Sequence, residues 1–173
     1  WGEIEECGKD PLENARQKAL AYYRICGQPV FSQDSGLYIE GLPKERQPGV
    51  HVRRVNGVNL TDEQMRKYYK KIAAEFGGRC VAQYQNAICL VFSENEIYEA
   101  RGGALNWKKF WLMTEERPQR MEGFPLDAIC ADYRTGRHFY DGEATMPEEE
   151  GDGVRDFFRN ALKQHEMRNK IEK

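Results

Sequence analysis

Between Val30 and Gly41 the chain reads VFSQDSGLYIEG, and the acid in its middle is the first side chain with chemistry to offer. Apolar Val30-Phe31 runs into Asp34, Ser35-Gly36 follow at once, and Leu37-Tyr38-Ile39 is apolar again. A carboxylate at the end of a buried strand, beside a small hydroxyl and a residue free to take positive φ, suits a metal or phosphate site. The same residues also read as an ordinary turn joining two strands. A second acid, Asp127, opens the apolar run Ala128-Ile129-Cys130-Ala131, where a carboxylate needs a partner or a ligand. The five cysteines (Cys7, Cys26, Cys80, Cys89, Cys130) are odd in number, scattered and never in a CxxC pair, so neither zinc nor a disulfide framework is expected. Cys26, Cys89 and Cys130 lie in apolar runs, where a free thiol packs as a small core residue. A reducing cytoplasm is the natural setting for such a chain.

The elements that must carry these residues are marked by their ends. Asp10-Pro11-Leu12-Glu13 is a helix start, with Asp10 as cap, Pro11 in the first turn and Glu13 able to reach back to the cap's amide. Leu12, Ala15, Ala19, Tyr22 and Cys26 form its apolar stripe and Gly27 stops it. Thr61-Asp62-Glu63-Gln64 is a capping box opening a second helix, with Met65, Tyr68, Ile72 and Phe76 inward, Tyr69, Lys70 and Lys71 on the solvated face, and Gly77 as its stop. From Arg79 the period becomes that of a strand. Cys80, Ala82 and Tyr84 alternate, Ala87 to Phe92 is continuously apolar, and Ser93-Glu94-Asn95-Glu96 turns the chain into Ile97-Tyr98-Glu99-Ala100 as an antiparallel hairpin. Leu105, Trp107 and Trp111 are assigned to a further strand as core residues with Lys108 and Lys109 outward, and Asp127 to Ala131 to a short buried strand. A last helix starts near Gly153 with Val154, Phe157, Phe158, Ala161 and Leu162 inward and frays into HEMRNKIEK. This order of helix, strand, strand, helix, antiparallel strands and helix gives an α/β fold, a mixed sheet with helices packed on it.

At 173 residues, 40% hydrophobic and 12% aromatic, the chain is expected to form one domain with a real core. Its 31% charged residues nearly cancel to a net charge of −2, which advertises neither nucleic-acid nor membrane binding. No apolar run approaches the ~18 residues that span a bilayer, and the acidic opening WGEIEECGKD is unlike a secretion signal.

Five spaced features line up along the chain: Glu3-Ile4-Glu5-Glu6; Glu13-Asn14-Ala15-Arg16-Gln17-Lys18-Ala19; Gln33-Asp34-Ser35-Gly36-Leu37; Pro48-Gly49-Val50 with Arg54 and Gly57 behind it; and Gly123-Phe124-Pro125-Leu126-Asp127. In this order and spacing they resemble the inosine triphosphate pyrophosphatase family, whose pattern runs ENAxxKA, DDSGL, PGVxSARxxG, an apolar strand pair, then GFGYDPIF. The resemblance covers most of the chain from Glu3 to about Pro147. It implies an elongated, largely antiparallel mixed sheet flanked by helices, a homodimer, and Mg²⁺-dependent hydrolysis of a purine nucleoside triphosphate to monophosphate and pyrophosphate. By the same resemblance Asp34 is the catalytic acid, serving water activation or metal binding, and Glu3 shares the metal. Lys18, Ser35, Gly36 and Arg54 fall on the substrate side. Phe124 stacks on the base and Asp127 hydrogen-bonds to it. Such a reaction needs a divalent ion on hard carboxylate oxygens, a cation for the phosphates and a group that orients water.

Three departures from the family pattern stand out. Its opening strand and [ST]-x-N-x-x-K phosphate loop have no counterpart in these 173 residues: residues upstream supply them, another segment does, or the grip is lost. GFGYDP has become Gly123-Phe124-Pro125-Leu126-Asp127-Ala128, where proline fixes φ and removes an amide donor, so the base pocket is reshaped. The family's late lysine and Ser-His-Arg motif should fall near PEEEGDGVRDFFRNAL, where acids, glycines and Phe157-Phe158 stand instead. Two further readings therefore stay beside the hydrolase: a regulator that binds a nucleotide or phosphorylated ligand without cleaving it, and a pure interaction module in which the motifs hold only the fold.

Overall fold

Asp10 caps the first helix, α1 (Pro11–Cys26), by accepting a hydrogen bond from the Glu13 amide at 3.0 Å. The Glu13 carboxylate takes the amide of Lys9 (2.8 Å) instead of that of Asp10, and Gly27, at φ 63°, ends the helix. The computed structural model describes residues 8–142 and 152–171. Two compact units divide the chain, the first of Trp1–Ser35, Gln85–Asn106 and Glu149–Lys173, the second of Gly36–Tyr84 and Trp107–Glu148. Strand β1 (Val30–Ile39) and strand β4 (Arg79–Ser93) contribute residues to both.

The Asp-Ser-Gly segment is not a turn between two strands, because β1 runs through it unbroken for ten residues. Gly36 is required there by a close approach and not by positive φ. A Cβ on it would lie 2.9 Å from the Tyr38 ring and 3.0 Å from the carbonyl carbon of Gly49. That approach lets Leu37 and Gly49 exchange both backbone hydrogen bonds, each 2.9 Å. Beyond it, Asn56 (φ 50°) and Gly57 (φ 80°) make the two-residue turn between β2 (Arg54–Val55) and β3 (Val58–Asn59).

In the second unit, α2 (Asp62–Glu75) starts with the full capping box of Thr61 and Gln64. It buries Met65, Tyr69, Ile72 and Ala73. Tyr69, expected on the solvated face, is fully enclosed, its hydroxyl donating to the carbonyl of Val52 at 2.8 Å, while Phe76, expected inward, is partly exposed. These residues pack with Leu37, Ile39, Cys80, Ala82, Leu126 and Ile129. The first half of β4 pairs antiparallel with β6 (Phe110–Met113), and β6 with β7 (Cys130–Asp132). Phe110 and Leu112 face this core, so the tryptophans take other positions: Trp107 is exposed, and Trp111 lies under the Arg79 guanidinium (4.3 Å) with its ring N–H donating to the Tyr133 carbonyl. Asp127 to Ile129 form a single 3-10 turn rather than a strand, with β7 starting after it.

In the first unit, the second half of β4 and β5 (Glu96–Arg101) form the expected hairpin, with Ala87 opposite Arg101 and Val91 opposite Ile97. Helix α1 sets Ala15 and Ala19 against Cys89 and Val91. Arg16 on α1 reaches Glu99 on β5 with two hydrogen bonds, 2.5 and 2.6 Å. Helix α3 (Asp152–Ile171) continues into the charged tail as far as Ile171, with Ala161 buried, Phe158 edge-on to Phe31, and Leu162 outward instead of in the core. The strand order is β1-β4-β6-β7 with β5 also on β4, and the mixed α/β architecture matches the expected class. Among the described residues no helix is long and apolar enough to cross a membrane.

Candidate functional site

The spacing of Asn14 and Lys18, one turn apart on α1, puts both on the same helix face. That face meets Asp34 of β1. The Asn14 amide nitrogen donates to Asp34 Oδ2 at 3.0 Å, and the Lys18 ammonium lies 3.2 Å from Asp34 Oδ1. Only 13% of the Asp34 side chain and 19% of the Lys18 side chain are exposed, so this ion pair is shielded and more strongly felt than a surface one. Asn14 is 1% exposed, and its remaining oxygen accepts the Gly8 amide at 2.8 Å. Both polar ends of one buried amide are thereby used, which fixes the side chain and, through it, the carboxylate. Asn14 is a site residue beyond those expected from the sequence, and its place in Glu13-Asn14-Ala15 one turn before Lys18 is the signal for it.

Ser35 is next in sequence but on the opposite face of the strand, since side chains alternate. Its hydroxyl donates to Asn86 Oδ1 at 2.7 Å, and Asn86 in turn donates to the Leu105 carbonyl at 2.7 Å. Ser35 is therefore tied into the first unit's framework and not gathered with Asp34 and Lys18. Glu3 lies outside the described residues. Among those described, no three His, Cys, Asp or Glu side chains gather as a metal cluster. Asp34 is one hard carboxylate, held in place, which suits the way Mg²⁺ is bound by one or two carboxylates together with substrate phosphates and water.

The second unit carries the other assigned residues. Gly36 sits in β1 against Gly49. Arg54 on β2 is exposed and pairs with no described acid, whereas neighbouring Arg53 is held by Asp62 at 2.8 Å and donates to the Leu60 carbonyl. Phe124 is 54% exposed, so it is not a core residue. Asp127 is half-buried, receives no hydrogen bond from a described side chain, and burial pushes its carboxyl above the usual range. Tyr84 and Tyr140 both feel its charge, and burial first and Asp127 among the rest raise both phenols. Tyr140, which no sequence motif marked, has its hydroxyl buried and without a hydrogen-bond partner among the described residues.

A family model described as the Ham1 family matches residues 1–106. The chain is similar to a dITP/XTP pyrophosphatase of Malacoplasma penetrans, 33% identical over 103 residues, which are 58% of this chain and 50% of that protein. To the dITP/XTP pyrophosphatase of Treponema denticola it is 31% identical over 137 residues, 78% of this chain and 66% of that one. Among solved structures, a HAM1 protein from Coxiella burnetii superposes with a TM-score of 0.68 at 25% identity, covering 95% of this chain and 81% of that chain. The chain thus spans from half to just under two thirds of the length of these two sequence relatives.

Proposed function

The chain belongs to the Ham1 family, and from that premise we propose that it is a nucleoside triphosphate pyrophosphohydrolase acting on purine nucleotides with unusual bases. The observation that carries this reading is Asp34, an acid on a rigid strand, oriented by a buried amide and an ammonium from one helix face. Water attacks the α-phosphorus, the bond from that phosphorus to the bridging oxygen breaks, and pyrophosphate leaves with the electron pair. Asp34 orients the attacking water and accepts its proton, or shares in holding the metal. Lys18 keeps the carboxylate in place and brings a positive charge to the phosphates as negative charge builds on their oxygens. Asp34, and Glu3 by the family resemblance, would hold Mg²⁺, which would supply charge neutralisation at the phosphates. Phe124 gives the base a surface to stack on, and Asp127 an acceptor for it.

Pyrophosphate release from ITP, dITP and XTP in the presence of Mg²⁺ tests the proposal, with ATP and GTP for comparison. Asp34→Asn is expected to lower kcat by at least about a hundredfold, in the range of losing a positioned acid or base. No turnover of any of these nucleotides by the wild-type chain would sink the hydrolase reading. One observation favours a second reading, binding without cleavage: both oxygens of Asp34 are already engaged by Asn14 and Lys18. Calorimetry that records nucleotide binding with no pyrophosphate released would select it.

A further inference from the structure

The two oxygens of Asp34 are held by partners of different kinds. Oδ2 accepts from the Asn14 amide at 3.0 Å, and Oδ1 faces the Lys18 ammonium at 3.2 Å. For a metal ion the difference decides which oxygen is open to it. A neutral amide takes one lone pair of a carboxylate oxygen and leaves the others, so Asn14 can stay in place when the carboxylate binds a cation. An ammonium has the metal's own sign of charge and stands at the oxygen the metal would use. Only 13% of the Asp34 side chain and 19% of the Lys18 side chain are exposed, so water screens that repulsion poorly. Oδ1 therefore serves Lys18 or Mg²⁺, and binding of one weakens binding of the other.

The two side chains also differ in how firmly they are set. Asn14 is 1% exposed and its own oxygen accepts the Gly8 amide at 2.8 Å, which ties both ends of the amide. Lys18, one turn along the same helix, carries a compact charge on a flexible four-carbon stem, and no fork geometry binds it to a carboxylate. It can turn to a phosphate oxygen while α1 stays where it is. We propose, resting on the function above, that Lys18 is the resident counter-ion of the metal position. In the free protein it holds Oδ1 of Asp34 and keeps Mg²⁺ off, and a polyphosphate chain opens that oxygen by drawing the ammonium onto itself. Mg²⁺ and the polyphosphate then bind strongly together and weakly alone, in keeping with the way Mg²⁺ shares protein carboxylates with substrate phosphates. Linkage makes the effect mutual, since the factor by which one ligand raises the other's affinity is the same in both directions. The engaged carboxylate is thus the resting state of the hydrolase, and Asn14 keeps it aligned through the exchange.

Calorimetry on the folded chain tests the exchange with two probes used separately, Mg²⁺ alone and inorganic pyrophosphate alone. Wild-type protein is expected to bind Mg²⁺ weakly. Lys18→Met should bind it about ten- to a hundredfold more tightly, because the competing charge is gone and Asn14 still orients the carboxylate. The same variant should bind pyrophosphate about tenfold more weakly, having lost a charged hydrogen bond. A purely structural role would not give opposite shifts, since a disturbed site weakens both probes. Lys18→Arg keeps the charge and should hold Mg²⁺ at the wild-type level, and Asp34→Asn added to Lys18→Met should abolish the gain. The inference is overturned by Mg²⁺ affinity in Lys18→Met equal to or below that of wild type, by parallel losses for both probes, by tight Mg²⁺ binding in Lys18→Arg, or by a gain that survives Asp34→Asn. Pyrophosphate release from ITP, dITP or XTP alongside any of those results would leave the hydrolase reading standing. Opposite shifts without cleavage of any of these nucleotides would uphold the exchange and select binding without hydrolysis.

Discussion

Replacing Asn14 with aspartate keeps the shape of the side chain and its acceptor for Gly8, and changes a single donor into an oxygen. That oxygen would face Asp34 Oδ2 at the 3.0 Å now spanned by a hydrogen bond. With the charge centres at ~4 Å, an effective dielectric constant of about 20 gives a repulsion of about 4 kcal/mol. Lys18, 3.2 Å from the other oxygen of Asp34, offsets part of it. The pair can also escape by keeping one proton, at a cost of about 1.4 kcal/mol per pH unit above an ordinary carboxylate pKa near 4. At pH 5 that escape costs ~1.4 kcal/mol, and at pH 8 it exceeds the repulsion, which then sets the limit. The sign follows from linkage: the introduced acid has a folded pKa raised above its unfolded one. Its penalty is therefore absent below the unfolded pKa, grows as pH rises, and levels off above the folded pKa. Asn14→Asp should lose roughly 2 kcal/mol more at pH 8 than at pH 5, which in a chain of this size is about 4–8 °C of additional Tm loss relative to wild type. Circular dichroism melts at the two pH values measure it. Asn14→Ala is the uncharged control, which orphans the Gly8 amide and should cost about 1–3 kcal/mol at either pH. Equal Tm losses for Asn14→Asp at pH 5 and pH 8 would refute the placement of Asn14 against Asp34.

Tyr69→Phe removes the donor to the Val52 carbonyl within the second unit's core. It should cost about 1–2 kcal/mol and lower Tm by roughly 2–8 °C; a Tm equal to wild type would place that hydroxyl in water instead. Thiol labelling tests burial separately. Burial pushes Cys80 up to about 11, and Cys89, with Glu99 adding to burial, up to about 12; Cys130 is raised as well. With iodoacetamide at pH 8, peptide mapping should find Cys26 modified and these three protected until urea is added, and modification of Cys89 in the folded protein as fast as Cys26 would contradict the packing of α1 on β4.

Where the chain announces its own punctuation, the sequence was readable. Asp10 with Pro11, Thr61 with Gln64, and the stops at Gly27 and Gly77 act through local backbone hydrogen bonds, so they mark the helices without reference to anything distant. The β4–β5 hairpin was legible for the same reason. Facing was harder. Tyr68 and Tyr69 are adjacent on α2, and either fits a broad apolar stripe; a carbonyl from Val52, 17 residues earlier, decides for Tyr69. Trp107 and Trp111 drew the core assignment by their size, but Phe110 and Leu112 hold the inward register of β6, and the Trp111 ring N–H finds its acceptor at Tyr133. Asp-Ser-Gly has turn composition, and only the long-range pairing of Leu37 with Gly49 shows why a strand needs a bare Cα at Gly36.

The same division runs through the candidate site. Asp34 and Lys18, which the family resemblance assigns to the site, do meet, whereas Ser35, equally prominent beside Asp34, is committed to Asn86. A period of two forces this outcome: on an uninterrupted strand, neighbours in sequence cannot serve the same face. The group that shares Asp34's face had to come from another element at helical spacing, and Asn14 and Lys18 of α1 supply it. The orienting amide is thus a consequence of a strand with period two meeting a helix whose register Asp10 and Pro11 set, and that register is what an exchange of Asn14 would leave intact while removing its hold on the acid.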